Sequence, residues 1–251
     1  MVEIDKIYNE CALKLMARMD NQSVDLIITS PPYNMRTRIR DGKYTKREKS
    51  EHFSKKYKYF SDDLPVDEFY TFHCNVMNEM LRISKIICYN IQLVTGSKEA
   101  FLKMIGDYNR YIKDIIIWDK GYGQPAMHSN VLNSCYEMIL ILESDARAGR
   151  VISNSYFDRG TFDNIMRISR NMNIIDGHSA VFPEKLVESL ILAFSNKGDV
   201  VYDPFLGTGT VTVVANTLDR HYIGSGITEE YYQYAVNRMN NCIYLKNNNF
   251  F

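Results

Sequence analysis

Two short apolar runs, each halted by a stiff or glycine-rich turn, constrain this chain more than any other feature. Val24-Asp25-Leu26-Ile27-Ile28 runs straight into Thr29-Ser30-Pro31-Pro32-Tyr33-Asn34, and Asp199-Val200-Val201-Tyr202 runs into Asp203-Pro204-Phe205-Leu206-Gly207-Thr208-Gly209-Thr210. Near-continuous apolar runs of this length read as strands buried on both faces rather than on one. The second run is flanked by amphipathic patterns at helical spacing, Pro183 to Phe194 before it and Val211 to Leu218 after it. Further strands are expected over 86–94, 112–118, 138–142 and 221–224. Strands alternating with helices predict an α/β fold, with a mostly parallel sheet and helices on both faces.

The 251 residues, 45% of them hydrophobic, suffice for one sizeable core, so a single domain over 1–251 is expected. No stretch approaches the roughly 20 apolar residues that a membrane span needs, and the opening MVEIDKIYNE has no signal-peptide pattern. The expectation is a soluble, cytoplasmic protein with no membrane partner. Five scattered cysteines form no C-x-x-C pair, so they read as reduced thiols and no metal is expected.

Thirty basic and thirty acidic residues cancel, but they are unevenly placed. Between Arg36 and Lys58 ten Lys or Arg stand against three acids, a local excess of seven. Such a run is as readily a solvated loop as a binding surface. The stretch from Arg147 to Asp176 is polar, rich in Arg, Asn and Ser, and has no clean period; it is read as a separate region rather than as part of the alternation.

Each turn carries a chemical reading beside a plain one. A turn at the carboxyl end of a strand is where open α/β sheets bind ligands. In the first, Ser30 and the Pro31 carbonyl are acceptors suited to holding an amino nitrogen. Pro31 and Pro32 stiffen the backbone, and Tyr33 offers a ring on which a base turned out of its stack could lie. Alone, Ser-Pro-Pro-Tyr could equally be a stiff turn. In the second, glycines let a ligand approach the main chain, and the start of the next helix offers N–H groups to a carboxylate. It lacks the lysine of a phosphate loop and the third glycine of a dinucleotide fingerprint, which leaves an ordinary tight turn as the other reading. The two turns together, each ending its own strand, make the stronger case.

Ser30-Pro31-Pro32-Tyr33 resembles the catalytic motif, and Asp203 to Thr210 the cofactor motif, of the DNA amino-methyltransferases in their beta-type, permuted order. The resemblance covers nearly the whole chain. It implies a Rossmann-like, S-adenosylmethionine-dependent methyltransferase fold. It further implies transfer of a methyl group to the exocyclic amino group of cytosine (N4) or adenine (N6) in duplex DNA by base flipping. By it, Ser30, Pro31, Pro32 and Tyr33 are catalytic. Ser30, His178, Ser179, Asp203, Pro204, Phe205, Gly207, Thr208, Gly209 and Thr210 would bind the cofactor. Trp118, Lys120 and Tyr136-Glu137 fall in strands ahead of a target-recognition region at roughly 121–176. The basic run over 34–60 becomes a DNA-contacting loop, with Arg36, Arg38, Arg40 and Lys43 as contacts. Among Arg147, Arg150, Arg159, Arg167 and Arg170, Arg167 and Arg170 are taken as the DNA contacts. A cognate restriction endonuclease and a homodimer are partners that the resemblance admits.

The resemblance has one departure. The strand Tyr222-Ile223-Gly224-Ser225-Gly226-Ile227 ends in this family on an acid that holds the cofactor's ribose, and here that position is Gly226. Glu229 or Glu230 could replace it. If neither does, an inactive DNA-binding relative is the alternative. A methyltransferase acting on something other than DNA is a further one, for which the basic run has no evident use. A cytosine ring methyltransferase is excluded, because no cysteine follows a proline. Serine ahead of Pro-Pro-Tyr leans the choice of base slightly towards cytosine.

Overall fold

A computed structural model describes residues 2–35, 37–40, 43–46, 62–124, 129–170 and 182–247. The first half contains β1 (Lys6–Tyr8), α1 (Ala12–Met16), β2 (Val24–Thr29), β3 (Thr37–Arg40), β4 (Lys43–Lys46), α2 (Val66–Ile83), β5 (Ser84–Ile91) and α3 (Lys98–Asp107). There follow β6 (Ile112–Gln124), β7 (Ser134–Glu143), β8 (Ile165–Arg167), α4 (Glu184–Phe194), β9 (Val200–Asp203), α5 (Thr210–Thr217), β10 (His221–Ser225) and α6 (Glu229–Asn247).

Eight strands form one sheet in the order β1-β10-β9-β2-β5-β7-β6-β8. The first five are parallel to one another, β7 is antiparallel to both β5 and β6, and β8 is parallel to β6. The apolar strands feed two helix layers because alternate side chains leave opposite faces of a strand. Leu26, Ile28, Ile86 and Cys88 join α4, α5 and α6 in one core, whereas Ile27, Ile87 and Tyr89 join α1, α2 and α3 in the other. α2 buries Phe69, His73, Val76, Met77, Met80 and Ile83, a stripe at helical spacing, and α4 buries Leu186, Val187, Leu190, Ile191 and Phe194.

This topology locates the site. From β2 the chain passes through α2 to β5 on one side, and from β9 through α5 to β10 on the other, so the winding direction reverses between β9 and β2. These two strands are neighbours, with Leu26 opposite Val201 and Ile27 opposite Tyr202. A crevice opens outside the carboxyl ends of strands at such a reversal, and both turns singled out in the sequence begin there.

The expected strands and both expected helices form, with shifted ends. The strand expected over 112–118 continues to Gln124, and the one over 138–142 begins at Ser134. Two expectations need correction. Within the basic run expected as a loop, the described residues form a hairpin, β3 pairing antiparallel with β4. The polar stretch after Arg147, expected to stand apart, is built into the main body in its described part. β8 pairs with β6 through Ile117–Ile165, Trp118–Met166 and Asp119–Arg167, and Ile152, Phe157, Phe162, Met166 and Ile168 pack on the core that α4, α5 and α6 cover. Apolar residues spaced irregularly among polar ones cover a core as loop anchors, which no helical or strand period betrays. All five cysteines are unpaired. Among the described residues no helix is long and apolar enough to cross a membrane.

Candidate active site

The turn after β2 is held by a residue and a glycine outside the apolar pattern. Asn34 is fully buried with φ +57°, a left-handed conformation that asparagine tolerates better than most residues. Its amide donates to the carbonyls of Leu64 at 2.9 Å and Gly96 at 3.0 Å. Gly96 lies so near that a Cβ there would stand 2.2 Å from the Asn34 carbonyl oxygen and 2.7 Å from Thr37 Cβ. Behind the turn, the Tyr33 ring meets Phe101 of α3 edge-on, centroids 6.4 Å apart, and Phe101 packs on Phe69 and His73. Burial pushes the His73 imidazole down to about 3, so it sits there neutral.

In front of that wall lies a polar network. The Ser30 and Tyr33 hydroxyls are 2.6 Å apart. The Tyr33 hydroxyl also lies 3.2 Å from Glu137 Oε2 and accepts from Asn90 Nδ2 at 2.6 Å. Asn90 Nδ2 donates to Glu137 Oε2 at 2.6 Å too, and approaches Ser30 Oγ at 3.4 Å. Glu137 Oε1 accepts from Lys120 Nζ at 3.0 Å in an ion pair whose side chains are only 13% and 1% exposed. Asn90 is the penultimate residue of β5, Lys120 lies on β6 and Glu137 on β7, so antiparallel β7 delivers its carboxylate to the edge where the parallel strands end. Sequence reading placed Lys120 and Glu137 on these strands without a role and overlooked Asn90. Only pairing of strands distant in sequence brings the three together.

The turn after β9 adjoins the first one directly. Thr29 Oγ1 donates to Asp203 Oδ1 at 2.7 Å, joining residues 174 apart, and the Phe205 N–H donates to the same oxygen at 3.0 Å. Burial pushes the Asp203 carboxyl up to about 7 against the opposing pull of these two hydrogen bonds. Gly207 has φ +49°, and a Cβ on it would meet nothing nearer than 3.8 Å, so its face is open to approach. Gly209, with φ +78°, also lets α6 pack close, since a Cβ on it would stand 2.8 Å from Ala235 Cβ. Ser225 Oγ donates to the Pro204 carbonyl at 3.0 Å, and Arg238 of α6 donates to the Thr208 carbonyl at 3.0 Å and to Thr210 Oγ1 at 3.2 Å. Phe205 faces Phe72 of α2 at 6.1 Å. Arg238 gives no signal in the sequence, being one arginine on a polar helix.

At the end of β10, Gly226 donates its N–H to the Tyr8 carbonyl at 3.1 Å, and a Cβ on it would meet Leu206 at an ordinary 3.7 Å. Nothing steric therefore demands glycine there. Glu229, at the start of α6, accepts from Asn9 and, at 2.7 Å, from Gln233. The other expected residues divide. His178, Ser179 and Arg36 lie outside the described residues. Arg38, Arg40 and Lys43 sit on the β3–β4 hairpin. Arg167 is exposed on β8, 3.7 Å from Asp119, and Arg170 has a buried Nε with no hydrogen-bond partner. Arg147 pairs with Asp145 and Arg150 with Asp114.

A mostly parallel α/β sheet, with a Ser-Pro-Pro-Tyr turn bonded beside an Asp-Pro and glycine turn at its reversal point, defines a Rossmann-like fold. Residues 24–237 match the DNA methylase family, and the chain belongs to that family of N6/N4 DNA methylases. It is similar to the orphan methyltransferase M.BamHII of Bacillus amyloliquefaciens, 50% identical over 68 residues, which are 27% of this chain and 26% of that one. It is similar over more of its length to the type II methyltransferase M.HpaI of Haemophilus parainfluenzae, 27% identical over 91% of this chain and 72% of that one. In two of its curated relatives the match spans only 26% and 44% of the relative's length. The fold is like that of the PvuII DNA methyltransferase, described as cytosine-N4-specific, with a TM-score of 0.69 and 16% identity over 95% of this chain and 87% of that one.

Proposed function

We propose that the protein transfers the methyl group of S-adenosylmethionine to the exocyclic amino nitrogen of cytosine or adenine within a specific site in duplex DNA, cytosine N4 being favoured. The observation that carries this reading is the buried Thr29–Asp203 hydrogen bond, which ties the amino-holding turn to the glycine turn at one crevice. S-adenosylmethionine, when bound, supplies an electrophilic methyl on a sulfonium sulfur. The residues present fit it. Gly207 leaves an open approach to the main chain. No side chain caps the start of α5, whose first-turn N–H groups suit a carboxylate. Glu229 is the acid near the place where the family holds the ribose.

An exocyclic amino group is a poor nucleophile because its lone pair is shared with the ring. Ser30 Oγ and the Pro31 carbonyl accept from its two N–H bonds, which favours a pyramidal nitrogen and a lone pair directed at the methyl. Tyr33, backed by Phe101, gives the displaced base a surface to lie on. Much of the gain comes from alignment of nitrogen, carbon and sulfur. Serine ahead of Pro-Pro-Tyr is what favours cytosine, and Arg167, Arg170 and the β3–β4 hairpin are the proposed DNA contacts. Gly226 favours a second reading, a DNA-binding relative of low cofactor affinity. Incubation of the protein with labelled S-adenosylmethionine and mixed-sequence duplex DNA, followed by nucleoside mass spectrometry, separates the two. N4-methylcytosine or N6-methyladenine, lost in Tyr33→Ala, is the expected result. DNA binding without product would establish the second reading instead.

A further inference from the structure

We infer that Glu137, anchored by Lys120, is a positioning residue that sets the direction of the hydrogen bonds at the active site so that Ser30 meets the substrate amino group as an acceptor. The inference rests on the amino-methyltransferase reading of the same site. It begins from what each group can donate. An ionised carboxylate only accepts and an ammonium only donates, so Lys120 holds Glu137 Oε1 and leaves Oε2 to accept from its other neighbours. Asn90 must therefore turn its NH₂ towards Oε2, as it does at 2.6 Å, because its carbonyl would repel the carboxylate.

The Tyr33 hydroxyl has one proton and three acceptors within reach, Ser30 Oγ at 2.6 Å, Glu137 Oε2 at 3.2 Å and, farther off, the Asn90 backbone carbonyl at 3.4 Å. A proton directed at Ser30 would leave the phenol oxygen's lone pairs facing the carboxylate. A proton directed at Glu137 avoids that, and the phenol oxygen then accepts from Asn90 and from Ser30. The Ser30 proton is thereby committed to Tyr33, and the Ser30 lone pairs remain for an incoming N–H. Were the order reversed, Ser30 would point a proton at the amino group it must hold. The ion pair costs desolvation to bury, and a fixed direction for the network gives that cost a use.

Glu137→Gln keeps the shape and lets an NH₂ donate to Tyr33, which frees the chain to reverse. The test measures kcat and both KM values for methyl transfer to duplex DNA, with melting temperatures, in wild type, Glu137→Gln, Tyr33→Phe and the double variant. Each single variant is expected to lose kcat by roughly 10²-fold, the scale of losing one oriented polar contact at a reacting centre. Both KM values should stay within about two-fold of wild type, and the double variant should be no slower than the slower single one, since both act through one hydroxyl. Wild-type kcat in Glu137→Gln, losses that multiply in the double variant, or a loss confined to KM or melting temperature would each overturn the inference. If Glu137→Gln does not fold, Tyr33→Phe with undiminished kcat overturns it alone. An inactive wild type overturns the methyltransferase reading and this inference with it, whereas an active wild type with unaffected variants overturns only the inference.

Discussion

Asp203 serves the site at a cost to the fold, and the cost has a sign. Its carboxyl is held at about 7 by burial, against an ordinary 3.8. Between those values the folded protein binds more protons at this position than the unfolded chain. Stability from this group therefore falls as pH rises from about 4 to about 7, and is level above that. Asp203→Asn removes the titration while keeping an acceptor for Thr29. Chemical denaturation of both proteins without cofactor should show the variant gaining on wild type between pH 5 and pH 8, by on the order of 3 kcal/mol at most. A stability difference independent of pH would mean that the carboxyl is not buried as described. The residues that serve the site this way were partly legible beforehand. Ser30, Tyr33 and Asp203 stand in recognisable turns, but Asn90 and Arg238 act through contacts made across the sheet and between α6 and the glycine turn. Neither residue has a local pattern to mark it.

At the level of elements, the turn after β2 is shaped by the one before α3. Gly96 admits the Asn34 carbonyl at a distance no Cβ permits, so Gly96→Ala must push the turn after β2, the proposed catalytic one, outward. Displacements of about 1 Å at a reacting centre cost roughly 10²-fold in rate, and a loss of that order in kcat, with a lowered melting temperature, is the expected outcome. Normal activity in this variant would show that the turn can yield. The same turn illustrates what a sequence conceals. The central strands announce themselves because both faces are buried and their apolar runs are unbroken. α2 and α3 follow the turn after β2 with good amphipathic spacing, yet neither is among the helices expected from the sequence. β8 is three residues long, and β1 likewise, too short for any alternation to register. That β7 runs antiparallel, and so carries Glu137 to Tyr33, is a matter of pairing and has no trace in local pattern.

For the whole molecule, charge is balanced in sum and concentrated in place. The β3–β4 hairpin carries Arg38, Arg40 and Lys43 within the basic run. Replacing all three with alanine should weaken binding to duplexes of any sequence alike and make the salt dependence of binding shallower by about one unit of slope per lost phosphate contact. An unchanged slope would move the DNA elsewhere on the surface. The placement of β9 beside β2 has a different reach. The turn after β2 leaves the ribosome before the one after β9, and Asp203, which receives the Thr29 hydrogen bond, follows 174 residues later. Until then one long edge of β2 lacks the strand that covers it. An interrupted translation product ending before β9 would thus carry the Ser-Pro-Pro-Tyr turn with no glycine turn beside it, and the crevice between them would not exist. A chain of this order is therefore expected to be inert as it emerges, acquiring its chemistry only once β9 has been made.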